Sequence, residues 1–193
     1  MRRSSAISGY LLISAALIFA PYLFAEVRSG IQPESGLRYW ESRHRGVNIR
    51  LTALLPDQTR AFFQARGFAS KTADIIARTC VFQTIFRNDS SEPIAYNMTD
   101  WRVELGSKQQ PIVTREAWER RWVNMSVSQE ARIALTWSLL PTRQRFASGD
   151  YNWGMISFGL PPGAEFDLRL TMRVGEDSIQ ETIPELICAP ESK

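Results

Sequence analysis

Between Phe166 and Val174 the chain alternates without a break: Phe166, Leu168, Leu170, Met172 and Val174 are apolar, while Asp167, Arg169, Thr171 and Arg173 are polar. That period belongs to an extended strand with one buried face, because successive side chains of a strand point to opposite sides. The same period returns along much of the chain. Val47–Ala53 alternates, and Cys80–Arg87 is an apolar strand that ends in the turn-forming run 88–93. Ile94, Tyr96 and Met98 alternate, then Trp101, Val103 and Leu105 do so in the opposite parity, so a β-bulge is expected at Thr99-Asp100. Ala131–Leu139 reads as a strand with Ile133, Leu135, Trp137 and Leu139 on one face. Tyr151–Phe158, apolar on both faces, is expected to be a central strand. The last strand, 178–187, is expected at an edge, since Pro184 has no N–H to give to a ladder.

About seven strands separated by turn signals is the pattern of an antiparallel β-sandwich. The expected fold is therefore mainly β: an immunoglobulin-like antiparallel sandwich, with an open barrel as the second choice, a short N-terminal helical pair and one inserted helix. The pair falls at 57–79, with Asp57 and Ser70 as candidate caps and Gly67 as the first stop. The insertion is 114–122, where Trp118 and Trp122 lie four residues apart on one face, as do Arg115 and Glu119 on the next. One sandwich domain is expected over 47–193. Residues 26–46 are expected to be a spacer, on the Gly, Ser and Pro content of 29–36.

What precedes the spacer sets the compartment. Arg2 and Arg3 are followed by an uncharged stretch from Ser4 to Ala25 with a strongly apolar centre. Positive charge stays on the cytoplasmic side, so the remainder is delivered outside. Residues 1–25 are expected to be a signal peptide, with cleavage after Ala25, or an uncleaved inner-membrane anchor; the absence of a following Cys excludes lipoprotein processing. Arg2 and Arg3 account for two of 23 basic side chains against 20 acidic ones, which leaves the exported part within one charge of neutrality. Such a balance gives no nucleic-acid footprint. In an oxidising compartment the only two cysteines, Cys80 and Cys188, are expected to form a disulfide.

No motif names a reaction. His44, the single histidine, sits between two arginines in what reads as a solvated segment, and any Ser/His or Cys/His device would have to use it. Nucleophile-elbow, zinc-protease, paired-cysteine and phosphate-loop signatures are all missing. The carboxylates Glu165 with Asp167, and Glu116 with Glu119, read as solvated or ion-paired. For copper the donors would be Met98, Met125, Met155 and Met172 with the two cysteines and His44, yet none of the methionines is clustered, and no cofactor is expected. Tryptophan and arginine together mark interface centres. Trp118 and Trp122 with Arg115, Arg120 and Arg121 are thus the candidate partner-binding set, with at least one ring expected to be exposed. The function expected is that of a non-enzymatic periplasmic accessory or assembly protein binding another envelope protein. A copper-handling or small-ligand module and a carboxylate hydrolase are the alternatives.

Overall fold

A computed structural model describes residues 25–191. In chain order its elements are β1 (Glu26–Ile31), β2 (Arg38–His44), β3 (Val47–Ala53), α1 (Pro56–Gln64), α2 (Ser70–Ala77), β4 (Val81–Asn88) and β5 (Ile94–Asn97). A single 3-10 turn (Met98–Asp100) leads to β6 (Arg102–Leu105), β7 (Lys108–Pro111), α3 (Arg115–Trp122) and α4 (Gln129–Ser138). The chain closes with β8 (Arg143–Phe146), β9 (Tyr151–Ser157), β10 (Glu165–Val174) and β11 (Asp177–Ile187). The signal or anchor expected at 1–25 lies, but for Ala25, outside the described residues.

The protein is mainly β, with two antiparallel sheets. One runs β1-β2-β3-β4-β9; in the other, β7-β6-β10-β5-β8, β11 flanks β10 on its free side. The unbroken alternation of 166–174 is β10, whose Phe166, Leu168, Leu170, Met172 and Val174 are all buried. They share one apolar cluster with Trp40, Ile49, Leu51, Phe82 and Phe86 of the first sheet. Cys80, ahead of β4, is bonded to Cys188, after β11, with Cα atoms 5.2 Å apart, which links the ends of strands in different sheets.

The parity slip at 99–100 has a physical cause other than a one-residue bulge. β5 pairs with the C-terminal half of β10, Tyr96 opposite Met172, and β6 pairs with its N-terminal half, Val103 opposite Leu168. The run 94–105 is thus one strand interrupted by the turn at Met98–Asp100, and a three-residue insertion flips the pleat as a single residue would. Asn97 holds the turn by accepting from the Thr99 N–H. A bulge does occur in β11, where the register shifts between Phe166/Leu186 and Leu168/Ile183. Glu185 adopts φ 57° there and donates its N–H to Asp167 at 2.8 Å. β11 pairs only with β10, so Pro184 sits on an edge strand.

Three expectations are overturned. Residues 26–46 are not a spacer but the hairpin β1–β2. Trp40 and Ser42 point inward between Tyr39, Glu41 and Arg43, and the connection is closed by Gln32 N–H to Leu37 O at 2.9 Å. β1, with only Val27 and Ile31 apolar, is an edge strand too sparse in apolar side chains to show a period. Second, Ala131–Leu139 is not a strand. Gln129–Ser138 is a helix capped by the Ser128 hydroxyl, with Ala131, Leu135 and Ser138 buried at helical spacing. Ile133, Leu135, Trp137 and Leu139 fit a period of two, but Ala131 and Leu135 fit 3.6 equally well, and the cap decides. Third, β9 is not central; it ends its sheet.

The residues on the second face of β9 are covered by helices rather than by a strand. Phe63, Phe68, Ala73 and Ile76 of the α1–α2 region, Trp118 and Trp122 of α3, and Ala131 and Leu135 of α4 form a second apolar cluster with Val81 and Met155 of the first sheet. Leu140 N–H donates to Met155 O at 3.0 Å, and Val113 N–H to Ser157 O at 2.9 Å. The approach needs Gly154: a Cβ there would lie 2.7 Å from Leu140 N. The helices stop short of the start of β9, where Tyr151 and Trp153 remain open to solvent.

Candidate interaction surface

The five residues expected to bind a partner do not form one surface. Trp118 and Trp122 are both 1% exposed and stack on each other, ring centroids 5.1 Å apart and planes 14° from parallel. Phe68 meets Trp122 edge-on at 5.7 Å. These rings are the core of the helical layer, and the expectation that one of them is exposed is wrong. Four-residue spacing puts both on the same face, and that face is the buried one. Arg115 turns inward with them and donates to the Leu139 carbonyl. Arg120 and Arg121 stay exposed, with the Arg121 guanidinium 5.5 Å from the Trp118 ring centroid.

The open aromatic side chains are others. Trp137 on α4 is 81% exposed, and Ile133, one turn before it, lines the same groove beside the Arg132–Glu119 ion pair. Trp153 on β9 is 59% exposed and directly opposite Ile85 on β4, with Tyr151 opposite Arg87 in the next outward row. The bridge between Leu139 and Met155 joins the end of α4 to β9, with Trp137 and Trp153 each two residues before it. Trp137 and Ile133 on α4, and Trp153, Ile85 and Tyr151 on β9 and β4, are thus exposed large side chains on the elements that this bridge joins. Periodicity misplaced Trp137 because it was read on a strand. Trp153 carried only a weak signal, an aromatic at an outward position of a strand apolar on both faces.

One buried polar group was also missed. Glu181 of β11 points inward between Ile179 and Ile183 and meets β2 of the other sheet. It accepts a hydrogen bond from the Ser42 hydroxyl, and His44 Nδ1 lies 3.9 Å from its second oxygen. His44 is therefore not solvated; its side chain is 16% exposed, and Nδ1 has no hydrogen-bond partner. The order Ser–Glu–His is not that of a nucleophile device, since the hydroxyl donates to the carboxyl and Ser42 is 1% exposed. Of the carboxylates paired in the sequence, Glu116 accepts from Thr142, Glu119 pairs with Arg132, and Asp167 accepts from the Glu185 N–H at the bulge.

Burial pushes the Glu181 carboxyl up to about 7. The folded domain then keeps a proton that the unfolded chain releases at ordinary carboxylate pH. Between those two values the native state binds more protons, so this group's contribution to stability falls as pH rises through the window and levels off above about 7. The full effect is about 3 kcal/mol. Urea titrations of the wild type and Glu181→Gln should show the variant gaining about that much relative stability from pH 4 to pH 8. A difference that does not change with pH would mean that Glu181 titrates alike in the folded and unfolded chain.

Among the described residues no group of three or more His, Cys, Asp or Glu converges to hold a metal ion. Both thiols of the copper alternative are used in the disulfide, and Met98, Met155 and Met172 are buried in the apolar clusters. Among the same residues no helix is long and apolar enough to cross a membrane. Comparison with known protein families, curated proteins and solved structures gives no match.

Proposed function

We propose that the chain is a non-enzymatic accessory or assembly protein of the periplasm, free or tethered to the inner membrane through residues 4–25, that binds another envelope protein. The observation that carries this reading is the exposure of Trp137, at 81%, and Trp153, at 59%, on the two elements joined at the α4–β9 seam, with Ile85 and Tyr151 exposed beside Trp153. Large rings left in water gain from being covered, and interface centres combine such rings with arginine. Arg132, paired with Glu119, and Arg87, paired with Asp89, supply a polar rim. The occupant that fits is an apolar patch of a different protein, ringed by groups of both charges. Export is supported by the Arg2-Arg3 and apolar leader together with the Cys80–Cys188 bond.

We further read the two sheets as a sandwich scaffold. Its likeness to immunoglobulin domains rests on the two antiparallel sheets and their shared core; the consecutive order β1-β2-β3-β4 is a meander rather than a Greek key.

Pull-down from solubilised envelope, followed by a binding titration with the recovered protein, tests the reading. Trp137→Ala and Trp153→Ala should each leave the melting temperature nearly unchanged and weaken association by about 2 kcal/mol, roughly thirtyfold. Unchanged binding in the double variant would end the proposal. Sedimentation that shows self-association lost in the same variants would assign the seam to a second copy instead.

A further inference from the structure

Arg115 and Arg120 of α3 open onto a cleft of about 530 Å³ between that helix, the turn before β6 and the start of β8. Arg115, Arg120 and Arg143 line it with the hydroxyl-bearing Thr99 and Thr114. Its one carboxylate, Glu116, is engaged by the Thr142 hydroxyl at 2.7 Å. None of the three arginines forms an ion pair among the described residues. Arg115 Nε is buried without a hydrogen-bond partner, a donor whose burial costs stability unless something accepts from it.

The positive field continues onto the outer face of the second sheet. There Arg145 stands opposite Ala95 and Ala95 opposite Arg173, Arg143 opposite Asn97, and Arg102 opposite Arg169. These rows hold five arginines; Arg169 is paired with Glu104 of the next row at 3.3 Å and Arg173 with Glu176 at 3.5 Å, which leaves Arg102, Arg143 and Arg145 without an ion pair among the described residues. No large apolar side chain is exposed on this sheet, in contrast to the α4–β9 seam. A membrane-binding face joins its cations to apolar side chains that enter the lipid, and this face has none. Planar guanidinium forks on a polar sheet match carboxylates, which they bind two bonds at a time.

We propose that the cleft and the arginine rows beside it dock an acidic segment of a partner protein, with its carboxylates on Arg120 and Arg143 and its end in the cleft at Arg115. This surface faces away from the α4–β9 seam in composition and stands or falls separately from it. Fluorescence anisotropy of a fluorescein-labelled deca-glutamate peptide with the purified full chain is the test. Binding should saturate at low ionic strength and weaken steadily with salt. Arg120→Glu with Arg143→Glu, both at exposed positions, should weaken it at least tenfold with an unchanged melting temperature. Arg28→Glu with Arg43→Glu, the same charge change on the other sheet, should leave it within twofold, and so should Trp137→Ala. Equal losses in the two charge-reversal pairs would reduce the effect to bulk charge and overturn the proposal. Failure to bind the peptide would also overturn it, and sedimentation with phosphatidylglycerol vesicles through the same arginines would then assign the face to lipid headgroups.

Discussion

Replacing Trp118 or Trp122 with alanine should lower the unfolding free energy by about 3–5 kcal/mol, because each truncation opens a cavity among rings that cannot collapse to fill it. Both are 1% exposed and in stacked contact, and Phe68 closes the cluster against Trp122. The two losses should not add, since removing one ring already frees the space the other packs against. Neither indole N–H finds an acceptor, so the stabilisation is apolar, and phenylalanine at either position should retain most of it. Urea denaturation with a common slope is the measurement. A loss under about 1 kcal/mol would mean that the helical layer is peripheral to the cooperative fold. Trp137→Ala, at an exposed position on the next helix, should stay within about 0.5 kcal/mol of the wild type.

Removing the disulfide should cost nearly as much. Cys80 and Cys188 are 108 residues apart in the chain, and closing so long a loop restricts the unfolded ensemble by about 4–5 kcal/mol on the chain-entropy account. Guanidinium unfolding of Cys80→Ser/Cys188→Ser against the oxidised wild type should show that difference, with the wild type in reductant falling to the variant. Both sulfurs are buried, at 4% for Cys80 and 0% for Cys188, so reduction should be slow without denaturant. A variant as stable as the oxidised protein would mean that the unfolded chain is already held compact by other contacts.

The two experiments probe different joints. The disulfide links β4 and β11, which belong to the two sheets, whereas the tryptophan pair holds the helices to the outer face of the first sheet. The seam proposed to bind a partner lies where that helical cover ends.

Much of this was legible along the chain, and the failures share a cause. β3, β4, β10 and β11 announced themselves because each has one face in the core, and a two-residue period survives wherever one face is wet. The even pair Cys80 and Cys188 pointed to its bond for chemical reasons that do not depend on fold. β1 gave no sign because its only apolar side chains, Val27 and Ile31, stand four residues apart among Arg28, Ser29 and Gly30, too few to set a period. Residues 131–139 satisfied two periods at once, and the Ser128 cap together with packing against Trp118, Trp122 and Met155 selected the helix. That choice turned Trp137 outward and Leu135 inward.

Local sequence thus determined that β3, β4, β10 and β11 extend and that two thiols meet. Tertiary structure alone decided which of the aromatic side chains are available to a partner. A side chain's period fixes its face relative to its neighbours in the same element, but burial is set by what lies across that face. For Trp118 and Trp122 it is α2, α4 and the first sheet, and for Trp137 and Trp153 it is water. Glu181 makes the same point for charge, since a strand places it inward and only the opposing sheet, with Ser42 and His44, decides that a proton stays on it near neutral pH.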